Sequence, residues 1–201
     1  MVGWEREMIT AMGDVMREAH KRGWITTRDG NCSLRREGKD ILYITPSAVR
    51  KTTIIPETIV RIPIFENKLL LDGLNPSGEL EMHWKLQQKF KHRTKSVLHL
   101  HPTYTIAAMR AGWNLRELAE EFPEVHRYTK VGNNVPVLPA ISQELAAETF
   151  WHMSIPHNVD IVGQAQHGVC AMGRNPWDAF EHIERLEHIC QIALASGVKP
   201  K

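Results

Sequence analysis

Residues 96–101 read Ser-Val-Leu-His-Leu-His and are stopped by Pro102, the pattern of a short buried strand. On a strand successive side chains alternate faces, so His99 and His101 point one way and Leu98 and Leu100 point into the opposite layer. Such a strand belongs inside a covered sheet. A pair of imidazoles on a rigid strand fixes two ligand directions at once, and neutral imidazole suits zinc, copper, iron and nickel. The chain has 11 histidines, so one His-x-His pair is weak by itself. His167, in Gln166-His167-Gly168-Val169, and Glu79 give it weight: three imidazoles and a carboxylate form a metal-ligand set that leaves room for a substrate oxygen.

The rest of the chain alternates helical and strand patterns. Met8, Met12, Val15 and Ala19 lie on one face of an amphipathic helix that Gly23 ends. Strands are expected at 32–35 and 41–45, with a turn at Gly38 between them. A hairpin is expected from 60–65 and 68–71, with Pro63 demanding an edge position. A helix is expected over 77–90, another over 104–111, and one or two short ones within 115–131. Residues 136–139 read as a short strand, 142–153 as a helix, 159–162 and 169–172 as strands. The last helix spans 176–195, with Ile183, Leu186, Ile189 and Leu194 as its buried stripe and His182 and His188 on its polar side. Hairpins interleaved with helices imply an α/β fold: one three-layer α/β/α domain over residues 1–201, with a mixed, largely antiparallel central sheet.

Composition narrows the function classes. A net charge of +2 with dispersed basic residues gives no electrostatic case for nucleic acid or membrane binding. The densest basic group, Lys89, Lys91, His92, Arg93 and Lys95, reads as a solvated turn. No stretch approaches the roughly 18 apolar residues of a membrane span, and the charged opening residues 1–26 do not read as a secretory leader. Three cysteines without CxxC spacing argue against a disulfide framework, so a reducing, cytoplasmic location is expected.

Asn75-Pro76-Ser77-Gly78-Glu79 opens a helix, with Ser77 as cap and Glu79 in the first turn, where the helix dipole favours a carboxylate. Glu81 points away from Glu79. His83 lies one turn on and shares its face, which makes it the alternative ligand. Gly30-Asn31-Cys32-Ser33 and Thr45-Pro46-Ser47-Ala48 are small-residue turns of the kind that present N–H groups and hydroxyls to an anion. Arg28, Arg35, Arg50 and Lys51 are cations that the sequence does not place.

These motifs, in this order, resemble the class II aldolase/adducin family: Gly-Asn-x-Ser-x-Arg from Gly30, Ile-Thr-Pro-Ser from Ile44, Pro-Ser-x-Glu-x-x-x-His from Pro76, His-x-His-Pro from His99 and His-Gly-Val from His167. The resemblance implies a homotetramer with active sites at subunit interfaces. It implies that His99, His101 and His167 hold Zn2+, with Mn2+ or Co2+ also acceptable, and that Glu79 is the fourth ligand and an acid/base group. Gly30, Asn31, Ser47 and Ser77 would hold the phosphate of a sugar phosphate. A tyrosine from a neighbouring subunit donates a proton in the aldolases, and Tyr128 lies in the corresponding segment.

The activity implied is retro-aldol cleavage of a phosphorylated ketose to dihydroxyacetone phosphate and an aldehyde. Epimerase, dehydratase and decarboxylase chemistry on the same scaffold stay open, as does a non-catalytic adducin-like interaction module. Two positions depart from the aldolase pattern. Ala48 stands where glycine is common and Gly78 where a second serine is common. Both are expected to weaken or reshape the phosphate pocket, which leaves an unphosphorylated substrate open.

Overall fold

The opening helix forms where the apolar residues recur at helical spacing. The computed structural model describes residues 3–35, 40–64, 74–92, 96–154 and 158–200. Helix α1 (Gly3–Lys21) buries Met12, Val15 and Ala19 completely, and Gly23 turns out of it at φ 72. The strands are β1 (Asn31–Arg35), β2 (Ile41–Ile44), β3 (Val60–Pro63), β4 (Ser96–Leu100), β5 (Ile161–Gln164) and β6 (Gly168–Gly173). They form one sheet in the order β3-β2-β1-β4-β6-β5, and every strand pair is antiparallel. Its parallel component is two isolated bridges, Val131 with Ile161 and Val135 with Gln164.

Pro63 pairs with Ile41 on edge strand β3, as its missing donor requires. The Gly38 turn and the expected second hairpin strand, 68–71, lie outside the described residues. The strand expected at 136–139 does not form. Pro136 and Pro139 have no N–H to give a ladder, and pairing stops at the Val135 bridge.

Six further helices complete the described chain: α2 (Leu80–Lys89), α3 (Thr103–Arg110), α4 (Leu115–Glu120), α5 (Pro123–Tyr128), α6 (Gln143–Ser154) and α7 (Pro176–Ser196). On one face of the sheet α1, α3, α4 and α7 pack with Leu34, Leu98, Leu100, Val169 and Ala171. On the other, α2 and α6 pack on Val97, Val162, Cys170 and Met172. The alternation along β4 is therefore as expected, with both leucines in the α1/α7 layer. Each large side chain withdrawn from water in these layers contributes about 1.5–3 kcal/mol.

His182 departs from expectation. It is buried, with Nδ1 at 2.9 Å from Thr129 Oγ1, because the chain leaving α5 folds back over α7; His188 is exposed as expected. No helix among the described residues is long and apolar enough to cross a membrane.

Candidate metal centre

The sheet register assembles the site. Asn31 lies opposite His99 and Ser33 opposite Val97 across the β1–β4 pair, and His99 lies opposite Cys170 across the β4–β6 pair. Directly opposed residues share a face, so Asn31, Ser33 and His99 all look toward α2. His101 follows β4, its N–H held by the Trp24 carbonyl at 3.0 Å, and His167 ends the turn between β5 and β6, its N–H on the Gln164 carbonyl at 3.0 Å. Residue 168 must then be glycine. A Cβ there would stand 2.4 Å from the Leu100 carbonyl oxygen and 2.8 Å from the His101 ring. The close approach brings the three rings together, with centroids 4.8 Å apart for His99–His101 and His99–His167 and 5.0 Å for His101–His167.

Glu79 arrives from the helical layer that His99 faces. Ser47 and Ser77 donate their N–H groups to the carbonyls of Asn75 (2.9 Å) and Thr45 (3.1 Å), clamping the start of α2 against the end of β2. Glu79 is the N-cap of α2 rather than a first-turn residue, and its own N–H donates to Ser77 Oγ at 3.3 Å. Its Oε2 lies 3.3 Å from His99 Nε2 and its Oε1 3.9 Å from His167 Nε2. Glu81 is turned away, paired with Lys85 at 2.9 Å.

The protonation states suit ligation. His99 Nδ1 donates to the Val169 carbonyl at 2.9 Å, which can only accept, so Nε2 keeps its lone pair and faces His101 Nε2 at 2.8 Å. Burial, then the neighbouring His167, pushes His99 down to about 3, and burial with His99 beside it does the same to His101. Both rings are neutral at pH 7, the form that binds metal.

The residues fit a divalent ion on two counts. Ligand atoms of the three histidines all lie within 4.8 Å of one another, slightly wider than the roughly 3–4 Å set by one ion with ligands at about 2 Å. Glu79 Oε1 is buried and has no hydrogen-bond partner, a costly state for a carboxylate oxygen that a cation relieves.

His83, the alternative ligand, does not join this set. It is fully buried against Asn31 and Ser33. Cys32 and Cys170 are fully buried free thiols whose pKa values burial raises, Cys32 to about 12, and neither belongs to the metal set.

Gly30, Asn31, Ser47 and Ser77 line one cavity of about 280 Å³ together with Glu79 and the three histidines. Ala48 sits there at φ 57, so the turn keeps the left-handed backbone that glycine favours, at a strain of roughly 1–2 kcal/mol. The N–H groups of Ala48 and Gly78 have no acceptor among the described residues. Ile141, itself left-handed at φ 63, packs over Gly78, where an added Cβ would meet it at 3.1 Å. A second serine at 78 is therefore excluded unless Ile141 moves.

Lys51, one of the unplaced cations, lines the same cavity. It is 2% exposed, donates to the Pro46 carbonyl at 3.0 Å and forms no ion pair among the described residues. Burial lowers its pKa, against the opposing pull of Asp29. No sequence signal distinguishes it from Arg28, Arg35 or Arg50.

Tyr128 is not brought to this centre. It is half exposed at the end of α5 and lines a separate cavity with Gly173, Arg174 and His182, at the end of β6 remote from Gly168. It can serve a metal centre only in another copy of the chain. A larger cavity of about 380 Å³, lined by Arg116, Thr129, Lys130, Asn133 and His152, contains none of the motif residues.

An antiparallel sheet between helical layers, with three histidines and the N-cap glutamate of α2 gathered at one end, defines an α/β/α class of protein with a candidate metal site. The sequence model of the class II aldolase and adducin N-terminal domain matches residues 10–194, and the chain belongs to that family. It is 28% identical over 173 residues to an L-fuculose phosphate aldolase of Methanococcus maripaludis, covering 86% of this chain and 88% of that one. It is 26% identical over 199 residues to a 3-oxo-tetronate 4-phosphate decarboxylase of Haemophilus influenzae, covering 94% and 86%. Among solved structures, a sugar-phosphate aldolase from Thermotoga maritima superposes with a TM-score of 0.82 at 23% identity, over 98% of this chain and 99% of that one.

Proposed function

We propose that the chain is a divalent-metal-dependent lyase of the cytoplasm that cleaves a phosphorylated ketose, such as a ketose 1-phosphate, to dihydroxyacetone phosphate and an aldehyde. The observation that carries this reading is the convergence of Glu79, whose buried Oε1 is unpartnered, on His99, His101 and His167. A non-catalytic interaction module has no need of such a set.

His99, His101, His167 and Glu79 would hold the ion, Zn2+ first, with Mn2+ or Co2+ compatible with the same donors. Bound there, it supplies Lewis acidity to a substrate carbonyl and the adjacent hydroxyl. The protein's own groups handle position and protons. Gly30, Asn31, Ser47 and Ser77 hold the phosphate, with the free N–H groups of Ala48 and Gly78 beside them. Glu79 takes the proton from the hydroxyl next to the breaking bond. That oxygen becomes the aldehyde carbonyl, and the carbon–carbon electron pair passes to the ketone fragment. A proton added to that carbon completes dihydroxyacetone phosphate. Tyr128 of a neighbouring copy in a homotetramer is the proton donor.

Lys51 supports a phosphorylated substrate, because a buried ammonium with no carboxylate in direct contact, only the more distant pull of Asp29, is stabilised by an arriving dianion. Lys51→Met is expected to melt higher than the wild type and to bind inorganic phosphate about 10–100-fold more weakly. Thermal melts across a phosphate titration read both effects. Wild-type phosphate affinity in Lys51→Met would remove Lys51 from the site.

The decisive experiment pairs metal analysis of the purified chain with a panel of ketose 1-phosphates, detecting dihydroxyacetone phosphate by a coupled assay. About one ion per chain with chelator-sensitive product is the expected result. Carbon dioxide release from a phosphorylated 3-oxo acid, without aldol cleavage, would instead favour the second reading, decarboxylation, which the Haemophilus relative supports. A chain that takes up no metal would overturn both.

A further inference from the structure

Asn31, Ser33 and Arg35 alternate along β1 and share a face, while Glu79, His83 and Gln87 recur every four residues along α2 and share a stripe. Two strand residues advance about 6.6 Å and four helix residues about 6 Å, so two such rows stay in step side by side. The protein realises that match as a polar ladder. Asn31 Nδ2 donates to Glu79 Oε2 at 2.8 Å. His83 bridges Asn31 Oδ1, in a short contact with its Nε2, and Ser33 Oγ, at 2.8 Å from its Nδ1. Gln87 Nε2 donates to Ser33 Oγ at 3.3 Å, and Arg35 donates to the Gln87 carbonyl at 3.0 Å. Asn31, Ser33, His83 and Gln87 are all buried.

Hydrogen-bond chemistry gives the ladder one direction. With the Asn31 amide N–H on the carboxylate, its Oδ1 faces His83 and can only accept, so His83 Nε2 donates. Burial pushes His83 down to about 3 and keeps it neutral, so its Nδ1 accepts from the Ser33 hydroxyl. Every donor points toward Glu79. Reversing the chain would set the Asn31 carbonyl oxygen against the Glu79 carboxylate, two acceptors with no proton between them.

We propose, resting on the metal-centre reading above, that His83 is a positioning residue for Glu79. Acting through Asn31, it fixes Oε2 as the hydrogen-bonded oxygen and leaves Oε1 free.

Two polar substitutions separate this role from packing. A glutamine at 83 carries its amide nitrogen to the position of Nε2; an asparagine reaches only as far as Nδ1. Cobalt(II) is the probe, titrated into the metal-free chain and read from its visible spectrum. His83→Gln is expected to keep wild-type affinity and spectrum, whereas His83→Asn loses about 10–100-fold in affinity and shifts the bands. Equal affinity in all three, or equal loss in both variants, overturns the inference. If His83→Asn does not fold, His83→Gln decides alone: wild-type behaviour supports the inference, a weakened site overturns it.

Asn31→Ala is an independent arm. Combined with His83→Asn it is expected to lose no more than it loses alone, because both break one chain; additive losses overturn the inference. A wild-type chain that takes up no cobalt sinks the metal-centre reading instead. The ladder is then read by NMR in the metal-free chain, from exchange protection of the Asn31 side-chain amide protons. Protection kept in His83→Gln and lost in His83→Asn supports the role, and protection unchanged in both ends it.

Discussion

His99→Ala is expected to bind no stoichiometric zinc and to lose at least about 10³-fold in turnover, the scale of removing a principal electrostatic stabiliser. Both ring nitrogens of His99 are committed, Nδ1 to the Val169 carbonyl and Nε2 toward His101 and Glu79, in a side chain 1% exposed. Its removal also orphans the Val169 carbonyl, at about 1–3 kcal/mol of stability. Equilibrium dialysis with metal analysis checks the first part, and a melting curve confirms that the chain still folds. Glu79→Gln makes the contrast. It leaves three imidazoles in place and should retain much of the metal, yet lose roughly 10²–10⁴-fold in rate for want of a base. Undiminished activity in Glu79→Gln would end the acid/base assignment while leaving the metal site intact.

Acid is expected to unfold the metal-free chain well above the pH at which its buried histidines titrate. His83, His99 and His101 are each depressed to about 3, against an ordinary value near 6.5 in the unfolded chain. Between those values the unfolded state binds more protons than the native state, so stability is fully present above about pH 6.5 and falls as pH falls. Each group contributes up to about 1.4 kcal/mol per pH unit, so three contribute roughly 4. At that slope a domain stable by about 5 kcal/mol reaches its midpoint near pH 5, and one stable by about 10 kcal/mol near pH 4. Circular dichroism melts in chelator at pH 7.5, 6 and 5 follow the decline. A melting temperature constant from pH 7.5 to 4.5 would contradict the buried, neutral state of these rings.

The centre was legible where local pattern decides it. Period-two alternation put His99 opposite Leu98 and Leu100, and the Pro-Ser-x-Glu opening put a carboxylate at a helix start. What escaped depends on contacts between distant elements. Helical spacing alone gives His83 a shared stripe with Glu79, but the strand residues beneath that stripe follow only from the β1–β4 register. His182 looked solvated because a helical wheel does not include the segment after α5, which covers it with Thr129. Residues 136–139 read as a short strand, but Pro136 and Pro139 deny that segment a ladder. Lys51 was one cation among several until the fold buried it.

The pairing of Asn31 with His99 has a consequence for how preparations of this protein are judged. A slip of one residue between β1 and β4 would turn Asn31 into the wrong layer, break its hydrogen bond to Glu79 and leave the carboxylate without its anchor. Misregistered chains can retain helices, compactness and solubility, and so pass the usual tests of quality. They cannot anchor the Glu79 carboxylate through Asn31 beside the three imidazoles. On the proposed metal reading, the fraction of molecules that bind the ion with full affinity is therefore a census of correctly registered chains, and its shortfall from unity measures the misfolded fraction that spectroscopy of secondary structure overlooks.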